Sequence, residues 1–176
     1  MQADRVLSAD QAERLHDIYL ESFGILRTTA AARHVLSHAE FLDEMIDPRI
    51  VKYSVWRSAS EPIALATVTN DLDAVTWVSP EFFAARHPQQ AARKAIYYLG
   101  IALVAPQRGQ FRLLERMVRE LVAACVADRG VLAYDVCAFN DVTVRFGRRA
   151  EAILQRIAPV RVGVADTQTY YEALFD

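Results

Sequence analysis

Asp135 is the one charge in the mostly apolar run VLAYDVCAFN, Val131 to Asn140. A half-buried carboxylate there has its charged form penalised, which raises its pKa and suits it to accept a proton; an arginine partner would make it structural instead. Cys137 falls two residues on, on the same strand face, and without a base beside it reads as an inert buried thiol. Tyr97 and Tyr98 stand on opposite faces of an upstream strand. One of them could line a pocket as a proton donor, and either could be sheet packing. Tyr134, Tyr170 and Tyr171 are further phenols.

A second kind of chemistry is electrostatic. The turn Pro106-Gln107-Arg108-Gly109-Gln110 leads into a helix, whose N-terminus offers unpaired N–H groups and partial positive charge to an anion. Gly109 allows close backbone approach, and Arg108 and Arg112 add two guanidinium groups. The same turn also reads as an ordinary strand-to-helix link. His34 and His38 have the i, i+4 spacing that can hold zinc, but no third ligand stands at a convincing spacing. They read as surface or packing histidines, and no metal is expected. The basic run Arg145 to Arg149 reads as a solvated helix face, or as a contact for a ligand phosphate or an acidic partner.

The elements that must position these residues follow from periodicity. Val6-Leu7 suggests an edge strand. Ser8 caps a helix from Ala9 to about Phe23, and a second helix is expected over Thr29 to Ile46 with Val35, Leu36, Ala39, Leu42 and Ile46 on its apolar face. Ile50 to Trp56 and Ile63 to Thr69 form a hairpin across Arg57 to Pro62. Val75 to Val78 reads as a short strand, and the stretch between Pro80 and Pro88 as a short helix or turn. Lys94 to Val104 is a strand, with Gly100 at a bulge position. The helix Gln110 to Asp128 carries a clean apolar stripe, and Gly130 stops it. Val131 to Phe139 is a strand, Asn140-Asp141 opens a helix to about Ile157, and Val160 to Val164 and Thr169 to Phe175 read as two closing strands. A strand, crossover helix and strand over Lys94 to Phe139 implies a parallel pair within a mixed sheet.

That order of elements resembles the GNAT superfamily of N-acetyltransferases. The stretch VAPQRGQFRLL supplies Val104, Pro106, Arg108 and Gly109 of the family's donor-binding turn, and Asn140 is similar to its strand-ending asparagine. The aromatic tail TQTYYEALF is similar to its closing strand. The match departs in three places. The turn is one residue short between Pro106 and Arg108, the later glycines fall on Phe111 and Leu113, and the helix tyrosine is replaced in NDVTVRFGRR. The resemblance implies an α+β fold over residues 1–176 as one domain, with about six or seven strands in a central mixed sheet and about four flanking helices. It implies acetyl-CoA or another acyl-CoA as donor, with its pyrophosphate on Arg108, Gly109, Gln110 and Arg112. The pantetheine arm would lie along Ile101, Leu103 and Val104 and meet Asn140. Asp135 and Tyr98 would be the catalytic pair, acting on an amine of a small molecule or peptide. A non-catalytic acyl-CoA sensor or protein-interaction module is the alternative.

Composition narrows the partners. The chain has 176 residues, 53% hydrophobic and 24% charged, with a formal charge of −2, which disfavours bulk nucleic-acid binding. No apolar run approaches the roughly 18 residues of a membrane span. The opening MQADRVLSADQAERL lacks a basic segment followed by an apolar one, so no signal peptide is expected. Cys125 and Cys137, both in apolar runs, fit reduced thiols and a cytoplasmic protein. A homodimer is left open.

Overall fold

The computed structural model describes residues 1–32, 35–105, 110–143 and 145–175. A short strand β1 (Gln2–Asp4) leads to helix α1 (Ala9–Phe23). Ser8 begins α1 as expected: its side chain accepts from the Gln11 N–H, and the Gln11 side chain accepts from the Ser8 N–H. This reciprocal pair satisfies donors that the first helical turn leaves open. The edge strand lies at β1, not at Val6-Leu7.

Of the helix expected over Thr29 to Ile46, only α3 (His38–Ile46) forms among the described residues; Thr29 ends a separate short helix, α2 (Leu26–Thr29). Ser37 and Glu40 form a second capping box that starts α3 afresh. The buried face of α3 carries Phe41 and Met45, whereas Ile46 is 51% exposed. The hairpin forms as expected, from β2 (Val51–Ser58) and β3 (Glu61–Thr69). A 3-10 turn, Leu72–Ala74, comes next, and a further turn stands where a strand at Val75 to Val78 was expected. Two short helices follow, α4 (Pro80–Arg86) and α5 (Pro88–Ala92), the first capped by Ser79.

Strand β4 (Ile96–Val104) is followed by α6 (Gln110–Leu121) and α7 (Ala123–Ala127), a break at Val122 dividing the expected long helix. Gly130 closes this segment, its N–H donating to the Cys125 carbonyl at 2.8 Å. The next strand, β5 (Val131–Ala133), stops well short of Phe139. Helices α8 (Ala138–Val142) and α9 (Phe146–Ile157) complete the regular structure.

The sheet order is β1-β2-β3-β4-β5, antiparallel throughout except for the parallel pair β4 and β5. It is thus a mixed sheet in an α+β chain, with five strands among the described residues instead of six or seven. The two closing strands do not form: residues 158–175 carry neither helix nor strand and are almost wholly exposed, with no strand partner among the described residues. The expected four helices are also exceeded, because the longer helical patterns break into separate pieces.

One face of the sheet packs on α1 and α3 through Leu15, Tyr19, Phe41, Met45, Leu65, Ile101 and Leu103. The other packs on α6 and α9 through Ala64, Ala66, Val68, Met117, Leu121 and the half-buried Leu154 and Ile157. Lys52 anchors the first layer. It is 0% exposed, and its ammonium donates to the carbonyls of Arg5 at 2.8 Å and Asp47 at 2.6 Å. Burial pulls its pKa down to about 8, against the opposing pull of Asp47 and Glu44.

A bulge in β4 decides what faces where. Ala66 pairs with Ala102 and Val68 with Leu99, so Thr67 alone stands opposite both Gly100 and Ile101. An extra residue shifts the two-residue alternation by one. Ile96 and Tyr98 are buried on one face before the bulge; after it, Ile101 and Leu103 are the buried residues. Thr67 fills the gap, its Oγ1 accepting from the Ile101 N–H at 2.9 Å and donating to Glu44 Oε1 at 2.8 Å. A Cβ on Gly100 would lie 2.9 Å from that same oxygen. Gly100→Ala should therefore displace the Thr67 hydroxyl and leave the Ile101 N–H unpaired, a loss of about 1–3 kcal/mol. Urea unfolding checks this; an alanine variant as stable as the parent would show that Thr67 does not fix the bulge.

Candidate functional site

The parallel strands are hydrogen-bonded neighbours only at Ile96–Val131, Tyr97–Leu132 and Tyr98–Ala133. Past Tyr98 they part. From Leu99 to Val104 the β5 side of β4 has no strand partner among the described residues, while its other side stays paired to β3. Between the parted chains lies a cavity of about 250 Å³. Leu99, Gly100, Ala102, Leu103 and Val104 form one wall. Tyr134, Asp135 and Val136 form the other, and Ser22, Phe23, Asn140 and Phe146 complete the lining. The lining mixes backbone polar groups with apolar side chains, which suits a slender amide-bearing ligand.

A polar tie sits where the strands part. Tyr98 is 2% exposed; its hydroxyl donates to Asp135 Oδ1 and accepts from Trp77 Nε1 at 3.1 Å. Burial first, and then the Asp135 charge, push the Tyr98 pKa well above the usual phenol range. The phenol therefore stays protonated and holds the far wall in place. Tyr98 and Asp135 are thus brought together, though not as the run of residues suggested. Asp135 is an exposed residue in an otherwise half-buried irregular segment beyond the end of β5, not half-buried in a strand. Its apolar neighbours do not hold it in a ladder, because β4 has already turned away.

The other expected residues divide. Leu103 and Val104 line the cavity; Ile101 lies on the same edge, with its side chain buried in the α1 and α3 layer. Asn140 reaches the cavity from within α8, so it neither ends a strand nor caps a helix; Cys137 occupies the cap position and makes no side-chain cap bond. Gln110 is the first residue of α6 and Arg112 is exposed in its first turn. Arg108 and Gly109, like His34, lie outside the described residues. Phe111 points outward, 63% exposed, so it does not join the sheet packing. Cys137 is half-buried against the α1 and α3 layer, and burial pushes the Cys125 thiol up to about 11. Tyr170 and Tyr171 are exposed in the tail and do not line the cavity.

Tyr134, one of the phenols that the sequence offers, gains a place at the cavity, and Trp77 and Glu44 gain parts that their sequence positions did not reveal. Tyr134 lines the cavity in edge contact with Phe146, ring centroids 6.3 Å apart, and burial raises its pKa, so it also remains a proton donor. Trp77 supports Tyr98. Glu44 comes from α3 to the opposite face of β4, beside Gly100 and Thr67, at a gap of about 20 Å³. The signal for Glu44 was its place one turn after Phe41, at the border of the true buried face. His38 pairs with Glu13 at 2.8 Å, and no group of three or more His, Cys, Asp or Glu among the described residues is placed to hold a metal. Among the described residues no helix is long and apolar enough to cross a membrane.

In comparisons with protein-family models, curated proteins and solved structures, nothing matches this chain.

Burial raises the Glu44 pKa, partly offset by the Thr67 hydrogen bond and the nearby Lys52 charge. The folded chain thus keeps this proton to higher pH than the unfolded chain does. The stabilisation is complete below the ordinary carboxylate value of 4.5 and is lost as pH rises through the folded value. Glu44→Gln mimics the protonated form, so it should match the parent near pH 4 and exceed it in stability near pH 7.5. Urea unfolding at both values reads this directly; a gap that shrinks with pH would contradict it.

Proposed function

We propose that the chain is an acyl-CoA-dependent N-acyltransferase of GNAT type, with a degenerate donor-binding turn. The observation that carries the reading is the parting of β4 from β5 beyond Tyr98, which leaves one edge of Leu99 to Val104 open along a cavity of about 250 Å³. Unpaired strand edges need hydrogen-bonding partners, and the two amides of a pantetheine arm are such partners. Leu103, Val104 and Asn140 would flank the arm, with Ile101 contributing backbone only. The α6 N-terminus follows β4 at the same end of the sheet, where Gln110 and Arg112 would meet the donor's pyrophosphate.

Acyl transfer then needs little more than placement and proton handling. The acceptor nitrogen attacks the thioester carbonyl, the C–N bond forms as the C–S bond breaks, and the sulfur leaves as a thiolate. Asp135, exposed at the cavity wall, takes the proton lost by the amine. Tyr98 orients that carboxylate and does not itself act as the acid, since its hydroxyl is already committed to Asp135. Tyr134 is the phenol placed to protonate the thiolate. The acceptor is a small molecule or peptide amine, and the cytoplasm is the compartment that fits an acyl-CoA donor.

The Tyr98 hydroxyl, its one proton committed to Asp135, also favours a second reading, an acyl-CoA-binding module with no turnover. Calorimetric titration of the full chain with acetyl-CoA and longer acyl-CoAs tests the shared step. Binding should be lost in Ala102→Trp, which fills the cavity, and weakened about tenfold or more in Arg112→Glu, a change of about 1.4 kcal/mol or more. Both variants should keep the parent's circular dichroism. Equal affinity in all three proteins, or no binding by the parent, would end the reading. Thiol release over a panel of amines then separates the enzyme from the sensor.

A further inference from the structure

The sheet has two outer edges, and they differ in kind. β1 presents the exposed, polar Gln2 and a half-buried Asp4 whose Oδ2 is shielded from solvent; a polar residue and an inward carboxylate both discourage strand addition. β5 presents Val131, Leu132 and Ala133, all half-buried, paired to β4 on one side and to no strand on the other among the described residues. An apolar, unpaired edge is a site for strand addition.

The same chain carries a segment that lacks a partner of the matching kind. Past α9, residues 158–175 run without helix or strand, and only Ala158 and Val162 are even half-buried. The composition is that of strands: Val160, Val162 and Val164 alternate with Arg161 and Gly163, and Thr169, Tyr171, Ala173 and Phe175 alternate with Tyr170, Glu172 and Leu174. Four of these side chains are very open to solvent, with Val164 80%, Tyr171 92%, Leu174 88% and Phe175 94% exposed. The tail leaves these residues in water, and the outer side of β5 has no strand partner among the described residues.

We infer that residues 160–175 of one copy add as strands along the free β5 edge of a second copy, and reciprocally, so that the protein is a strand-exchanged homodimer. Two equal edges and two equal tails match one to one, and the exchange closes on itself with two-fold symmetry. The size is adequate. A stable interface uses roughly 20–30 residues a side and buries about 800 Å² per partner. Each copy would contribute its tail, its β5 and the segment after β5, which comes to that number. Exchange also extends the sheet past β5, so that the wall formed by Tyr134 to Val136 is held from its outer side by the partner. The inference does not depend on the acyl-CoA reading.

Light scattering on the full chain should give a particle of twice 19.8 kDa. The double variant Tyr171→Asp, Phe175→Asp changes only residues exposed in the single copy and should give 19.8 kDa, with the helical circular dichroism kept and the strand signal of the exchanged tails lost. A photoreactive p-benzoylphenylalanine at Tyr171, in dimers refolded from mixed ¹⁴N and ¹⁵N chains, should yield crosslinked peptide pairs of mixed isotope that include residues 131–136. A monomeric parent, a dimer that survives the double variant, or crosslinks of one isotope only would overturn the exchange. The last result would mean that the tail docks on its own copy.

Discussion

One hydroxyl opposite one glycine orders the centre of this molecule. Thr67 Oγ1 occupies the space that a side chain at position 100 would take, and it accepts the Ile101 N–H that the bulge removes from the ladder. Without that shift, Gly100 would follow Tyr98 on the buried face, and Ile101 and Leu103 would turn towards α6. With it, one strand serves two buried layers in succession: Ile96 and Tyr98 against the Leu72 and Val75 cluster, then Ile101 and Leu103 against α1 and α3. Glu44 completes the arrangement by accepting from Thr67. The raised Glu44 pKa is the energetic cost of placing a carboxyl group there.

The divergence of β4 and β5 begins just before the bulge, and the two features work together. Tyr98 is the last residue of β4 paired to β5, and its hydroxyl reaches across to Asp135. The two chains are therefore tied at the fork and free beyond it. Trp77 fixes the phenol from the other side, so that a cavity edge is held by a buried, hydrogen-bonded side chain and not by a loop alone. A ligand arriving at this edge meets groups already in position, which limits the ordering entropy it must offset. The proposed chemistry asks for that kind of preparation, with one carboxylate and one protonated phenol beside an open backbone edge.

Much of this was legible in the sequence where local rules act alone. Ser8 announced α1, the turn composition announced the hairpin, and strand–helix–strand order announced the parallel pair. The role of Gly100 was also readable, because a glycine inside a strand asks for a close neighbour. What escaped depends on partners distant in the chain. Glu44 was hidden because Leu42 and Ile46 suggested a buried face one position away from the true one, carried by Phe41 and Met45. Asp135 was read as part of a strand because its neighbours are apolar; whether an apolar run becomes a strand depends on a neighbouring edge, and β4 withdraws that edge after Tyr98. The tail has the alternation of strands, yet alternation alone supplies no hydrogen-bond partner, and its own sheet ends at β5.

The central claim is that the open edge of β4 is where the donor lies, and amide hydrogen exchange followed residue by residue reads that edge directly. On adding coenzyme A, the account predicts slowed exchange at amides within Leu99 to Val104 and at Tyr134 to Val136. The β2 and β3 amides, already paired, should stay unchanged. Unchanged exchange along Leu99 to Val104 at saturating coenzyme A, or protection confined to another part of the sheet, would contradict it.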